Sequence, residues 1–286
     1  MKDKTKSTAW LGIKHKAKKL LRLIKNLIIL PRCASCDQRL SPFPEKGNMI
    51  YDKLCFCSDC AENWHRARAE ACPNCYNRSP KCTCTPDFFF NYQPDIPSLC
   101  FYHPDSNDTQ SRAIITMKRR LDGDLFDFMA IELYPSVESL LSRLGLSGKD
   151  CIFTWVPRKS SAISKNGFDQ GKELATSLAK LFDTRPCPLF LRTGGEEQKK
   201  LDDKKRKRNV QRSIKLNHAM LELRSGRKEP DVTTLVSGKS VVIVDDVMTS
   251  GSTLRRAVEL LISANAENAL VVCVAKTCAK AGKKKK

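Results

Sequence analysis

The 286-residue chain contains no apolar run approaching the roughly 18–20 residues that cross a bilayer. Near the N-terminus the longest such run, Leu27–Leu30, falls short of the ~7–15 residues of a secretory core, and no small-residue cleavage site follows it. A cytoplasmic protein with reduced cysteines is therefore expected. No GxxxxGK[ST] is present, which excludes a P-loop. Acidic residues are in deficit: 31 Asp and Glu stand against 51 Lys and Arg, a net charge of +20. Such a surplus favours polyanionic partners, whether nucleic acid, phosphorylated metabolites or an acidic membrane face, with solubility as the plain alternative. Aromatic residues are sparse around the basic run Lys204–Arg208, so a stacking platform for single strands is not evident there. The one aromatic cluster, Phe88, Phe89, Phe90 and Tyr92, is explained equally well by packing.

The basic excess is clustered. Met1–Arg32 carries ten Lys and Arg against one acid, and the chain ends in four lysines. Residues 1–31 read as a basic amphipathic segment, with Leu20, Ile24, Leu27 and Ile28 at helical spacing. Such a stripe packs on its own domain more often than it docks on a membrane surface. Residues 281–286 read as a basic tail.

Cysteine is abundant where other signals are poor. Nine of the fourteen fall between Cys33 and Cys84, in close pairs: Cys33/Cys36, Cys57/Cys60, Cys72/Cys75 and Cys82/Cys84. Each CxxC turn aims two thiolates at one point, and two turns make a tetrahedral four-thiolate site suited to Zn²⁺. The first site would use Cys33, Cys36, Cys57 and Cys60; the second, with one shorter spacing, Cys72, Cys75, Cys82 and Cys84. A redox CxxC would expect one motif beside a βαβ unit rather than several in succession. Residues 32–90 are thus expected to form a small zinc-ribbon domain whose metal is structural and supplies its folding energy.

From residue 91 to about 280 the pattern becomes strand, loop, helix. Cys151–Pro157, Val241–Val244 and Ala269–Ala275 read as continuously apolar strands, with an earlier strand over Ser98–His103. Helices are expected over Ser111–Leu121, over Asp124–Leu146 with a break or kink at Pro135, over Phe168–Phe182 with Leu174, Leu178 and Leu181 inward, and over Thr253–Ala266 with Leu254, Val258, Leu261 and Ile262 inward. The fold class is α/β: a parallel sheet covered on both faces.

The stretch VVIVDDVMTSGSTL, Val241–Leu254, joins a buried strand to a helix. In open parallel sheets ligands bind beyond the carboxyl ends of strands, where Asp245 and Asp246 stand. The helix N-terminus that follows suits a phosphate. Hydroxyls of Thr249, Ser250, Ser252 and Thr253 can donate to phosphate oxygens, and Gly251 lets the backbone come close. Two acids beside a phosphate require something between them. A ribose does this, its hydroxyls donating to the carboxylates, while Mg²⁺ offsets the remaining charge. A helix-capping turn is the plain reading of the acids alone.

This stretch resembles the signature of type I phosphoribosyltransferases, which bind phosphoribosyl pyrophosphate (PRPP). The resemblance implies that Asp245 and Asp246, the catalytic candidates, hold the ribose hydroxyls and that Thr249–Thr253 hold the 5′-phosphate. Over roughly residues 27–276, LIILPRCASC, the cysteine pairs, MKRR, NGFDQGKELA, QKKLDDKKRKRN and the terminal signature occur in the order found in the ComF family. Those are phosphoribosyltransferase-like proteins associated with natural competence and DNA uptake. The family usually reads R-G-F-N-Q where this chain has Asn166-Gly167-Phe168-Asp169-Gln170. A lost arginine and an added acid leave Lys118, Lys159 and Lys165 as candidates for the pyrophosphate end. The resemblance implies displacement of pyrophosphate from the ribose by a nitrogen nucleophile that no residue identifies. The alternatives are a non-catalytic module that senses PRPP or a nucleotide and binds single-stranded DNA, and an adaptor for competence-machinery proteins at the membrane surface.

Overall fold

The computed structural model describes residues 30–41, 55–193, 213–218 and 231–277. The N-terminal apolar stripe, the Lys204–Arg208 run and the terminal lysines lie outside these residues. The strands are β1 (Cys100–Phe101), β2 (Ile152–Trp155), β3 (Phe190–Arg192), β4 (Ile214–Leu216), β5 (Ser240–Met248) and β6 (Asn268–Lys276). The helices are α1 (Ser58–Ala69), α2 (Thr109–Arg119), α3 (Gly123–Arg143), α4 (Ser160–Asn166), α5 (Gln170–Leu181), α6 (Val232–Val236) and α7 (Ser252–Ser263). Strands β1, β6, β5 and β2 form one sheet in that order, every pair parallel, while β3 and β4 form a separate antiparallel ribbon.

β5 has a neighbour on each side. Val241–Val244 pairs with Ile152–Trp155 along one edge and with Ala269–Val272 along the other. Its apolar run is continuous because both faces are covered. Val242 and Val244 share a core with α3 and α5, whereas Val241 and Ile243 share one with α7 and the β3–β4 ribbon. β6 is longer than its neighbour β1, and the open part of its edge is closed by the preceding segment. The Gln93 amide donates to Val271 O at 2.9 Å and accepts from Val271 N at 2.6 Å, and Pro97 O accepts from Cys273 N at 3.1 Å. A side chain thus takes the place of a missing strand.

The helical faces follow the apolar spacing with two amendments. Leu174 and Leu178 of α5 are fully buried, but Leu181 lies at its end and is 37% exposed. Of the break or kink expected at Pro135, the break does not occur, and α3 continues through it. Pro135 removes one N–H, yet Leu133, Val137, Leu140 and Leu141 on either side are buried and hold the helix to the core.

The cysteine-rich segment does not stand apart. Phe56 and Trp64 stack with ring centroids 5.5 Å apart, and both meet Phe128 of α3 edge-on at 5.6 and 5.7 Å. All three belong to the core that covers one face of the sheet. Thr116 of α2 donates to Ala34 O at 2.7 Å, and Arg120 donates to Asp37 and to Arg32 O, each at 3.1 Å. Packing therefore contributes to this segment's stability beside any metal, which amends the expectation that metal alone supplies it. Trp64→Ala should cost about 3–5 kcal/mol of global stability, the range for a fully buried aromatic. In urea the segment and the sheet should unfold in one transition. Separate transitions by tryptophan fluorescence and far-UV circular dichroism would show two independent cores.

Candidate functional site

β5 does not end at the acids. It runs on to Met248, so Asp245 and Asp246 are strand residues and point to opposite faces of the sheet. Asp246, 6% exposed, lies on the α2–α5 side. Its Oδ2 accepts from Gln170 Nε2 at 3.0 Å and lies 3.5 Å from Lys118 Nζ, while Oδ1 accepts from Val247 N at 2.7 Å. Asp245 is half-buried, and its Oδ1 accepts from Asp246 N at 2.9 Å. Burial, and then the charge of Asp246, push its carboxyl up to about 8, against the pull of the Asp246 N–H and Lys118. The adjacent acids are thus inequivalent: one has a cation and an amide as partners, the other has little to offset its burial.

The loop beyond them meets the requirements for an anion. Thr249 and Ser250 are exposed, and Ser252 and Thr253 open α7. The α7 N-terminus has no side-chain cap, so its first N–H groups are not taken by a side chain. Ser250 Oγ and Ser252 Oγ lie 2.9 Å apart. Gly251 has φ +68°, and a Cβ there would lie 3.0 Å from Phe89 Cε2. Conformation and space both call for glycine. Phe89 in turn packs on Phe88, over whose ring the Arg255 guanidinium lies at 4.6 Å. The aromatic cluster that follows the second cysteine group therefore supports the loop.

Of the three candidate lysines, the structure brings Lys118 to the acids. Lys159 is the residue before α4 and Lys165 lies in its last turn; both are exposed, and among the described residues neither forms an ion pair. Arg158 joins β2 to α2 by donating to Lys118 O at 2.9 Å. Two residues emerge that spacing did not single out. One is Gln170, which lies within the quoted NGFDQ stretch. The other is Arg192 of β3, for which no sequence signal exists: its guanidinium donates to Pro157 O at 3.2 Å, and burial lowers its pKa against the pull of Asp245 and Asp169.

The cysteine pairs assemble as their spacing indicates. Cys33, Cys36, Cys57 and Cys60 form one group and Cys72, Cys75, Cys82 and Cys84 another, with sulfur atoms within 4.8 Å of one another in each. Sulfur separations of 3.7 Å for Cys36–Cys57, Cys72–Cys84 and Cys75–Cys82 match the tetrahedral edge of about 3.8 Å implied by a Zn–S bond of about 2.3 Å. Both groups could hold zinc. Cys55 is buried and takes no part in either group. At the second, Lys276 is 2% exposed and its ammonium donates to Cys82 O at 2.8 Å. Lys276 pairs across the sheet with Met248, so this group sits at the same sheet end as the Thr249–Thr253 loop.

Residues 162–286 match the family model described as phosphoribosyl transferase domain. The α/β part has the type I phosphoribosyltransferase fold. The chain is similar to the solved structure of a hypoxanthine phosphoribosyltransferase from Staphylococcus aureus, 16% identical over 58% of this chain and 73% of that one, with a TM-score of 0.30. Among curated proteins none matches the chain. Val241–Thr253, with the strand, the acid pair and the loop described above, lies within the matched residues. No helix among the described residues is long and apolar enough to cross a membrane.

The inequivalence of the acids has a consequence for stability. With its carboxyl raised from 3.8 to about 8, Asp245 favours the folded state while protonated. That contribution is complete below about pH 4 and is lost as pH rises towards about 8. Asp245→Asn should therefore gain stability relative to wild type across this window, by at most about 1.4 kcal/mol per pH unit. Urea midpoints at pH 5, 6.5 and 8 measure the difference. Parallel profiles would mean that Asp245 is ionised throughout.

Proposed function

We propose that the chain binds PRPP with Mg²⁺ and transfers its phosphoribosyl group with release of pyrophosphate. The observation that carries this reading is the sequence of groups along one strand end: an acid pair, then a glycine-opened loop on an uncapped helix N-terminus. The 5′-phosphate lies on the N–H groups and hydroxyls of Thr249–Thr253. The ribose hydroxyls donate to Asp245 and Asp246. As the bond to pyrophosphate breaks and the bond to an incoming nitrogen nucleophile forms, positive charge grows on the sugar, and the Asp246 carboxylate, joined by Asp245 where it is ionised, stabilises it. Negative charge grows on the departing pyrophosphate. Bound Mg²⁺ would supply neutralisation of part of this charge. Lys118, held 3.5 Å from Asp246, is one cation available for the rest, and Lys159 and Lys165 lie at the two ends of α4.

The ComF resemblance supports a place for this chemistry beside DNA uptake, in the cytoplasm, with competence-machinery proteins as partners and the cysteine groups as structural zinc sites. The second reading, a PRPP-dependent sensor that binds single-stranded DNA, is favoured by the +20 charge. Pyrophosphate release separates the two readings.

Calorimetry in Mg²⁺ should show saturable PRPP binding in the micromolar range. Asp246→Ala should weaken it about ten- to a hundredfold, the worth of a charge-assisted hydrogen bond. Gly251→Val should do comparable harm, through its φ and through Phe89. No saturation by PRPP or ribose 5-phosphate at millimolar concentration would end the phosphosugar reading. Binding without pyrophosphate release by any amine or base tested would favour the sensor. Elemental analysis should find two zinc ions per chain; a single ion would remove the second site.

A further inference from the structure

Two consecutive residues at the start of α5 hold the ends of two neighbouring strands. The Asp169 carboxylate is 9% exposed. Its Oδ1 accepts from Gly171 N at 3.1 Å, as a helix cap does. Its Oδ2 reaches back along the chain and accepts from Trp155 Nε1 and from Arg158 N, both at 3.2 Å. Capping requires the first of these bonds only. The other two fix the turn that leaves β2. Gln170 is 7% exposed, and its Nε2 donates to Asp246 at the end of β5 at 3.0 Å. The orientation of this amide follows from its partner, since its oxygen cannot face a carboxylate. Gln170 Oε1 is left buried with no hydrogen-bond partner. A residue kept for packing alone would not carry an orphaned acceptor. Neither residue touches the phosphate loop, and both act through a neighbour.

We infer that Asp169 and Gln170 are positioning residues that divide the recognition of one phosphosugar between them. Gln170 sets the Asp246 carboxylate against the ribose. Asp169 sets the Pro157–Lys159 turn, with Arg158 and Lys159, against the pyrophosphate. This assignment rests on the phosphosugar reading of the site. It also accounts for the acid in NGFDQ. The Asp169 charge is turned away from the ligand and holds two N–H groups on one oxygen. An asparagine in the same orientation would present its NH₂ to one of these donor sets. Arg192 donates to Pro157 O at 3.2 Å, at the start of the same turn.

The test uses the full chain and two ligands in Mg²⁺, PRPP and ribose 5-phosphate, titrated by calorimetry. Gln170→Ala should weaken both ligands by the same factor, about tenfold, because both carry the ribose hydroxyls that Asp246 meets. Gln170→Glu should weaken both further, since it sets a second carboxylate against Asp246. Asp169→Asn should weaken PRPP about tenfold and leave ribose 5-phosphate unchanged, because only PRPP reaches the Pro157–Lys159 turn. General loosening of the fold would instead lower both ligands together with the thermal midpoint, and that result for Asp169→Asn overturns its role. Wild-type affinity in Gln170→Ala overturns the role of Gln170 while leaving the phosphosugar reading intact. Wild-type protein that binds neither ligand overturns both.

Discussion

A carboxylate buried in the last third of the central strand constrains everything around it. Asp246 cannot remain charged there without partners, because removing an ion from water is costly unless hydrogen bonds and a counter-charge replace the lost solvation. Three sources supply them: Gln170 from α5, Lys118 from α2, and the N–H of Val247. Each partner brings its element to the same sheet end. α5 arrives with Asp169, which fixes the turn after β2. α2 arrives with Thr116 and Arg120, two residues on either side of Lys118, which bind the segment carrying the first cysteine group. One acid thereby organises the site and ties the cysteine-rich region to it.

The second cysteine group reaches the same end by another route. Lys276 lies beside Met248 across the sheet and donates its buried ammonium to Cys82 O. Thr277 continues the connection, its N–H donating to Met248 O at 3.0 Å. Phe89, five residues after Cys84, sits against Gly251. The loop expected to hold phosphate is thus supported from below by residues adjoining a candidate metal site. A loop that must present backbone N–H groups at a fixed spacing needs such rigid backing, because catalytic and binding geometry tolerates little displacement. The cysteine groups contribute to the site by holding the residues beneath it in place.

Much of this was legible before any coordinates. The eight candidate ligand cysteines could be paired because spacing within a CxxC turn is a local property. The strand Val241–Val244 and the loop Thr249–Thr253 could be read for a similar reason: apolar continuity and small-residue loops are written in consecutive positions. Local patterning was less reliable where tertiary contacts intervened. Pro135 looked like a break or a kink, and buried leucines on both sides carry the helix through it without a break. Leu181 looked like core, but it lies where α5 ends. The acids looked like strand-end residues, but pairing with β6 extends β5 past them.

By itself the sequence determined the α/β order, the two thiol sets and the acid–loop signature, because each depends on residues near one another in the chain. Only the tertiary structure decided which cations and amides meet the acids. Lys118 and Gln170 stand in the quoted MKRR and NGFDQ stretches, but both lie far from Asp246 in sequence, and no local pattern says that they meet it. The sheet order sets β2 beside β5, and α5 and α2 bring Gln170 and Lys118 to Asp246. The fold also decided that the two acids differ. Alternation along β5 sends Asp246 toward partners and leaves Asp245 half-buried with few, a distinction that two identical letters in a row cannot express.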